Sequence, residues 1–132
     1  MIRIFLEYLS SFGSKTAKLD EESTLKISGK LPRLDGATAL YPVYAAFAEA
    51  VYPENEFSEG DVICTNTINA YDGIISGERD IIFVADFFAV TSGEPQGNSK
   101  LLIDWILSEQ GQEIIEKTGY TPLLTSGGSA IY

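Results

Sequence analysis

The chain has 132 residues, which reads as one domain spanning residues 1–132, long enough to bury a sizeable core. With 45% hydrophobic and 21% charged residues, its composition is ordinary for a globular protein and excludes a disordered tail or a coiled coil. Nine Lys and Arg against nineteen Asp and Glu give a net charge of -10, so the chain repels nucleic acid and anionic membrane and no nucleic-acid partner is expected. There is no histidine and only one cysteine, Cys64. The commonest general base and zinc ligand are therefore missing, and neither an intrachain disulfide nor a Cys-cluster metal site can form. Neither a metal nor a cofactor is expected.

No apolar run approaches the roughly 18 residues that span a bilayer. The opening residues Met1 to Leu9 faintly suggest a signal peptide, but Glu7 interrupts them and no small-residue cleavage site follows. They are read as part of the fold, with no signal peptide in the chain. Residues 1–30 form an irregular N-terminal segment in which the alternation Thr24-Leu25-Lys26-Ile27 suggests one edge strand. After Pro32 the pattern sharpens. Arg33 and Leu34 lead a strand end into the small-residue turn Asp35-Gly36-Ala37-Thr38, and residues 40–52 read as a helix with Pro42 in its first turn and Pro53 closing it. This helix is apolar almost all round, so it must be covered on more than one face.

Residues 61–64 read as a short apolar strand ending in Thr65-Asn66-Thr67. A helix over 68–76 follows, with Thr67 or Asn66 as its N-cap and Gly77 at its C-terminus. Residues 81–85 are a continuous apolar run, expected of a strand buried on both faces. Residues 87–91 read as another strand, and 92–95 as a turn. Leu101, Leu102, Trp105 and Ile106 make a helical stripe over 98–107, and Ser108 caps a helix that reaches Lys117 and stops at Gly119. The Gly/Ser-rich tail, 125–132, is read as loose. Strands alternating with helices predict an α/β fold: a three-layer single lobe with a mostly parallel four- to five-stranded sheet. The strand at Leu34 is expected between those at Val62 and Ile81.

Two strand-to-helix turns share a construction. Gly36-Ala37-Thr38-Ala39 and Thr65-Asn66-Thr67 each place hydroxyls and backbone N–H groups at a helix N-terminus, where the helix dipole favours an anion. In open α/β sheets, ligands collect at such strand ends. Composition alone favours the plainer role of helix caps for Thr38 and Thr67. No catalytic constellation is visible, and the chain is read as a non-enzyme. Asp35, Asp72 and Asp80 lack a paired base and read as solvated charges or strand-end caps. Cys64 reads as a buried structural thiol. Tyr41 and Tyr44 are candidates to line a cleft.

The segment Leu34-Asp35-Gly36-Ala37-Thr38-Ala39-Leu40-Tyr41-Pro42-Val43-Tyr44 resembles the opening strand–turn–helix of the phosphate-binding proteins of ABC transporters, in the periplasmic binding protein-like II family. Ser108 to Gln112 with Gly119-Tyr120-Thr121-Pro122-Leu123 is similar to the C-terminal helix and closing turn of solute-binding proteins. The resemblance runs from about Lys18 to Leu123. It implies binding of inorganic phosphate or a similar oxyanion by Ala37, Thr38 and Ala39 in the first turn and by Asn66 and Thr67 in the second. It also implies an ABC permease as partner and an extracytoplasmic location, periplasmic or at the cell surface.

Two departures stand out. The second lobe of the family is missing, because residues 81–85 run directly into 86–91. With it go the arginine and the hydroxyl turn on the far side of the ligand. Ala85 occupies the place where some members carry an aspartate, and Asp86 comes one residue late. Weak or incomplete phosphate binding is the implied function; the alternative is a self-associating interaction module without a small ligand. Uncovered cleft surface and the pair Phe87-Phe88 point to a homodimer, with exchange of N-terminal segments as one route.

Overall fold

The computed structural model describes residues 16–53, 60–85 and 87–119. The readings made for residues 1–15, for Asp86, for the closing turn at 120–123 and for the tail at 125–132 lie outside the described residues. β1 (Leu34–Gly36) leads through one 3-10 turn (Thr38–Leu40) into α1 (Tyr41–Val51). Then come α2 (Thr67–Ser76), β2 (Ile81–Val84), β3 (Phe88–Val90), α3 (Gly97–Ile106) and α4 (Glu109–Lys117). No helix among the described residues is long and apolar enough to cross a membrane.

The architecture is α/β, but the sheet corrects the expectation of four to five mostly parallel strands. It has three strands in the order β1-β2-β3, with β1 and β2 parallel and β2 and β3 antiparallel. Three local causes account for the difference. Residues 24–27 form no strand; the Ile27 N–H bonds instead to Val51 O at the end of α1 (2.8 Å). Residues 61–64 contribute a single parallel bridge, Val62 to Leu34, which leaves Leu34 between Val62 and Ile81. Finally, only residues 85–87 join β2 to β3. A parallel crossover needs about a dozen residues, so so short a link must make a hairpin. Phe87 turns its corner at φ 70, a left-handed conformation that costs a non-glycine residue about 1–2 kcal/mol. Its ring packs against those of Phe47 and Phe83.

The two-residue period of β2 sorts the core. Ile81 and Phe83 face α1, α3 and α4, while Ile82 and Val84 face α2. The first side is thick and aromatic: Phe83 stacks on Tyr44 at 5.1 Å, and Phe47 lies edge-on to Trp105 at 6.0 Å. The other is thin, formed by Ala70 and Ile74 of α2 over Ile82, Val84 and Val90. α1 is apolar all round because it is covered twice, by the sheet and by residues 16–31. Polar side chains of α3 and α4 hold that N-terminal strap down. Asn98 donates to Ser28 O and Lys30 O, and Gln110 Oε1 accepts from Thr24 N. Glu113 Oε2 accepts from Asp20 N, and Lys117 Nζ donates to Asp20 Oδ1.

Arg33 and Asp80 clamp the entry to β1 against the entry to β2. Asp80 Oδ2 accepts from Arg33 N (2.8 Å) and Nε (2.9 Å), and Arg33 also donates to Gly77 O at the end of α2. Burial opposes charge on Asp80, but its hydrogen bonds to Arg33 and the guanidinium charge outweigh that and hold the carboxyl below its ordinary value. A carboxyl depressed by folding stabilises above its unfolded pKa, and that stability is lost as pH falls through the folded pKa. Urea denaturation should therefore show stability falling as pH drops from about 5 to about 3. Asp80→Asn should lose about 1–2 kcal/mol at pH 7 and flatten that fall; an unchanged slope would show that other carboxylates carry it.

Candidate functional site

The two turns leave neighbouring parallel segments at the same end. Leu34 N donates to Asp61 O (2.7 Å) and Ile63 N to Leu34 O (3.0 Å), which aligns the chain before Thr65 with β1. The ladder then stops because a side chain takes over. Asp35, 1% exposed, accepts from Thr65 N (2.8 Å) and from Gly36 N (2.7 Å) through Oδ1, and from Thr65 Oγ1 (2.6 Å) through Oδ2. The next backbone donor in line is thus spent on Asp35, and the chain turns into α2.

Gly36 lies so close to β2 that a Cβ there would run into the Phe83 carbonyl. Ala37 N donates to Phe83 O (2.8 Å), so its amide belongs to the sheet and is not offered to a ligand. That corrects the expectation for Ala37. Thr38 and Ala39 are exposed at the start of the 3-10 turn. Asn66 caps α2, its Oδ1 accepting from Asn69 N (2.8 Å) and its carbonyl from Ala70 N (2.9 Å). The cap is Asn66 rather than Thr67, which is half-buried at the first helical position. The amides of Thr67 and Ile68 come ahead of the first intrahelical donor, Ala70 N. Exposed Thr38 thus follows the end of β1, while half-buried Thr67, the first amides of α2 and the Asn66 cap follow the neighbouring segment. No Lys or Arg hydrogen bond or ion pair reaches these turns among the described residues.

Beneath the turns the chemistry is neutral apart from Asp35. The Cys64 thiol is buried, 3.9 Å from Gly36 O, with the hydroxyls of Tyr44 and Thr38 beside it. Burial pushes the thiol up, the Asp35 charge adds to this, and the two hydroxyls oppose it only in part. A raised thiol is protonated at neutral pH and is a poor nucleophile. Tyr44 Oη donates to Ile63 O (2.8 Å), and burial drives its phenol far above the usual range. Tyr41 and Tyr44 are 1% and 0% exposed, so both belong to the core and neither lines a cleft. Of the three aspartates read as bystanders, Asp72 is exposed, Asp80 is tied to Arg33, and Asp35 joins the two turns. That last role depends on Thr65, thirty residues away, and no local pattern pairs the two.

No family model, no curated protein and no solved structure matches this chain.

Asp35→Ala should leave Thr65 N–H and Oγ1 without their acceptor and cost about 2–4 kcal/mol in chemical denaturation. Asp35→Asn keeps an acceptor for both amides and lets the Thr65 hydroxyl accept instead of donate, so its loss should be nearer 1 kcal/mol. Hydrogen exchange at the Thr65 amide should accelerate in the alanine variant. Equal losses for both variants would show that the carboxylate is not what holds the turn.

Proposed function

We propose that the chain is an oxyanion-binding lobe of the kind found in ABC-transporter phosphate-binding proteins, with inorganic phosphate as its ligand and a shallow, incomplete site. The observation that supports this reading most is the Asp35–Thr65 tie, because it joins the end of β1, which leads into the Thr38 turn, to the segment that leads into Thr67 and α2. Hydroxyls and first-turn amides are the donors that a phosphate accepts from. The resemblance of residues 34–44 to the family's first phosphate turn supports the same reading, and with it a permease partner and an extracytoplasmic location. Among the described residues the site offers no cation, and a charge of -10 opposes a dianion at long range. Two or three charge-assisted hydrogen bonds of about 1.5–3 kcal/mol each, set against the cost of association, leave a dissociation constant on the order of millimolar.

Titration with inorganic phosphate, followed by amide NMR shifts and calorimetry, tests this. Saturable millimolar binding with shifts at Thr38, Thr67 and Ile68, abolished in Thr38→Val, is the expected result. Absence of shifts at tens of millimolar would reduce both threonines to structural positions and leave the self-associating module as the better reading. Submicromolar binding would equally overturn the incomplete site.

A further inference from the structure

Among the described residues, the thin side of the sheet ends in an uncovered helix face. Ala70, Gly73 and Ile74 of α2 turn toward the sheet, while Ile68, Tyr71 and Ile75 stand outward at i, i+3 and i+7 and are 75%, 41% and 81% exposed. Phe88, 46% exposed, is opposite Val84 in the β2–β3 ladder, so it lies on this same side of the sheet. We propose that this face docks on the same face of a second copy of the chain, giving a twofold dimer in which α2 packs antiparallel on the partner's α2.

Three observations select a second copy as the occupant. First, the stripe is self-complementary. Ile68 and Ile75 are equally distant from the helix midpoint between Tyr71 and Asp72, so a twofold axis there sets each Ile68 against the partner's Ile75 and the two Tyr71 rings against each other. An interface of this symmetry needs one patch that matches itself. Second, the face is nearly free of charge in a chain of net charge -10, with Asp72 the one charged residue of α2. Two copies repel over the rest of an acidic surface and meet at least cost where charge is sparsest, with the facing Asp72 pair as the one repulsion left near the axis. Third, the four side chains leave roughly 500 Å² in water, within the range of a functional patch and over half of the ~800 Å² per partner of a stable interface. Asn69, Asp72 and Ser76, all exposed along α2, widen it further. The inference does not rest on the oxyanion reading.

Sedimentation velocity on the full chain from micromolar to near-millimolar concentration reads the monomer–dimer equilibrium directly. Wild type should shift to dimer with concentration, and added salt should tighten the dimer by screening the like charges. Ile75→Glu should weaken it roughly a hundredfold or more, since a twofold interface carries the change twice. At concentrations where the wild type is monomeric, the circular dichroism and melting temperature of that variant should match wild type, because the side chain is then in water in both. Asp72→Asn should tighten the dimer several-fold, because the axis faces Asp72 toward its own copy. A monomer at every concentration would overturn the proposal, as would a dimer that survives both Ile68→Glu and Ile75→Glu.

Discussion

The Asp35 carboxylate is the constraint on which the arrangement of this fold turns. It is buried at the end of β1, and among the described residues no Lys or Arg stands within ion-pair distance of it. An ionised group taken out of water without partners costs many kcal/mol, so the protein must supply hydrogen bonds from close by. It does so from its own next amide and from both donors of Thr65. The last two are available only if residues 61–64 run alongside β1 and then bend away, which ends the ladder after one bridge. A single buried charge thereby fixes where the sheet stops, where α2 starts and which end of the sheet carries the open turns.

The elements with a dense local signal were legible. The all-apolar run at 81–84, the Pro-initiated helix, the Gly77 C-cap at φ 83 and the helix stop at Gly119, φ 96, all rest on residues that determine their own conformation. The place of Leu34 between Val62 and Ile81 was legible, but the number of strands and the antiparallel β3 were not, because pairing depends on partners distant in sequence. Residues 24–27 alternate like a strand, yet their place is set by Gln110, Asn98 and the end of α1. The hairpin was readable in principle from the three-residue link between β2 and β3, but the expectation of a parallel sheet overrode that count. At the candidate site, the Thr38 and Thr67 turns stand out in the sequence by their small residues and hydroxyls. The loss of the Ala37 amide to Phe83, and the pairing of Asp35 with Thr65, required the register of the sheet.

The helix most exposed to water is also the one held most by polar contacts at its ends. At its N-terminus Asp35 takes the Thr65 amide just before the Asn66 cap, and at its C-terminus Arg33 donates to Gly77 O while Arg79 N donates to Gly73 O. The Arg79 side chain crosses so close to Gly73 that a Cβ there would strike it. Both carboxylates of the arrangement, Asp35 and Asp80, thus act through the strands that flank α2. Only Ala70, Gly73 and Ile74 of this helix are buried, whereas α1 on the other side buries eight residues. Anchoring at the two ends lets α2 keep its place while burying little apolar surface, and it leaves large apolar side chains available on the outer face.

The two surfaces of α2 lie at right angles in function as well as in geometry. One of the two turns proposed to bind an anion, 65–67, sits at its N-terminus, and the apolar stripe runs along its flank. In an antiparallel pair of ten-residue helices about 15 Å long, the two N-termini lie at opposite ends and face away from each other. Such a dimer cannot bring an arginine or a second hydroxyl turn from one copy to the open side of the other copy's phosphate. Association through α2 therefore leaves each half-site as open as it is in the monomer. The proposed oxyanion affinity and the proposed self-association are thus separable, because the charge that orders one end of the helix does not reach the face that the other would use.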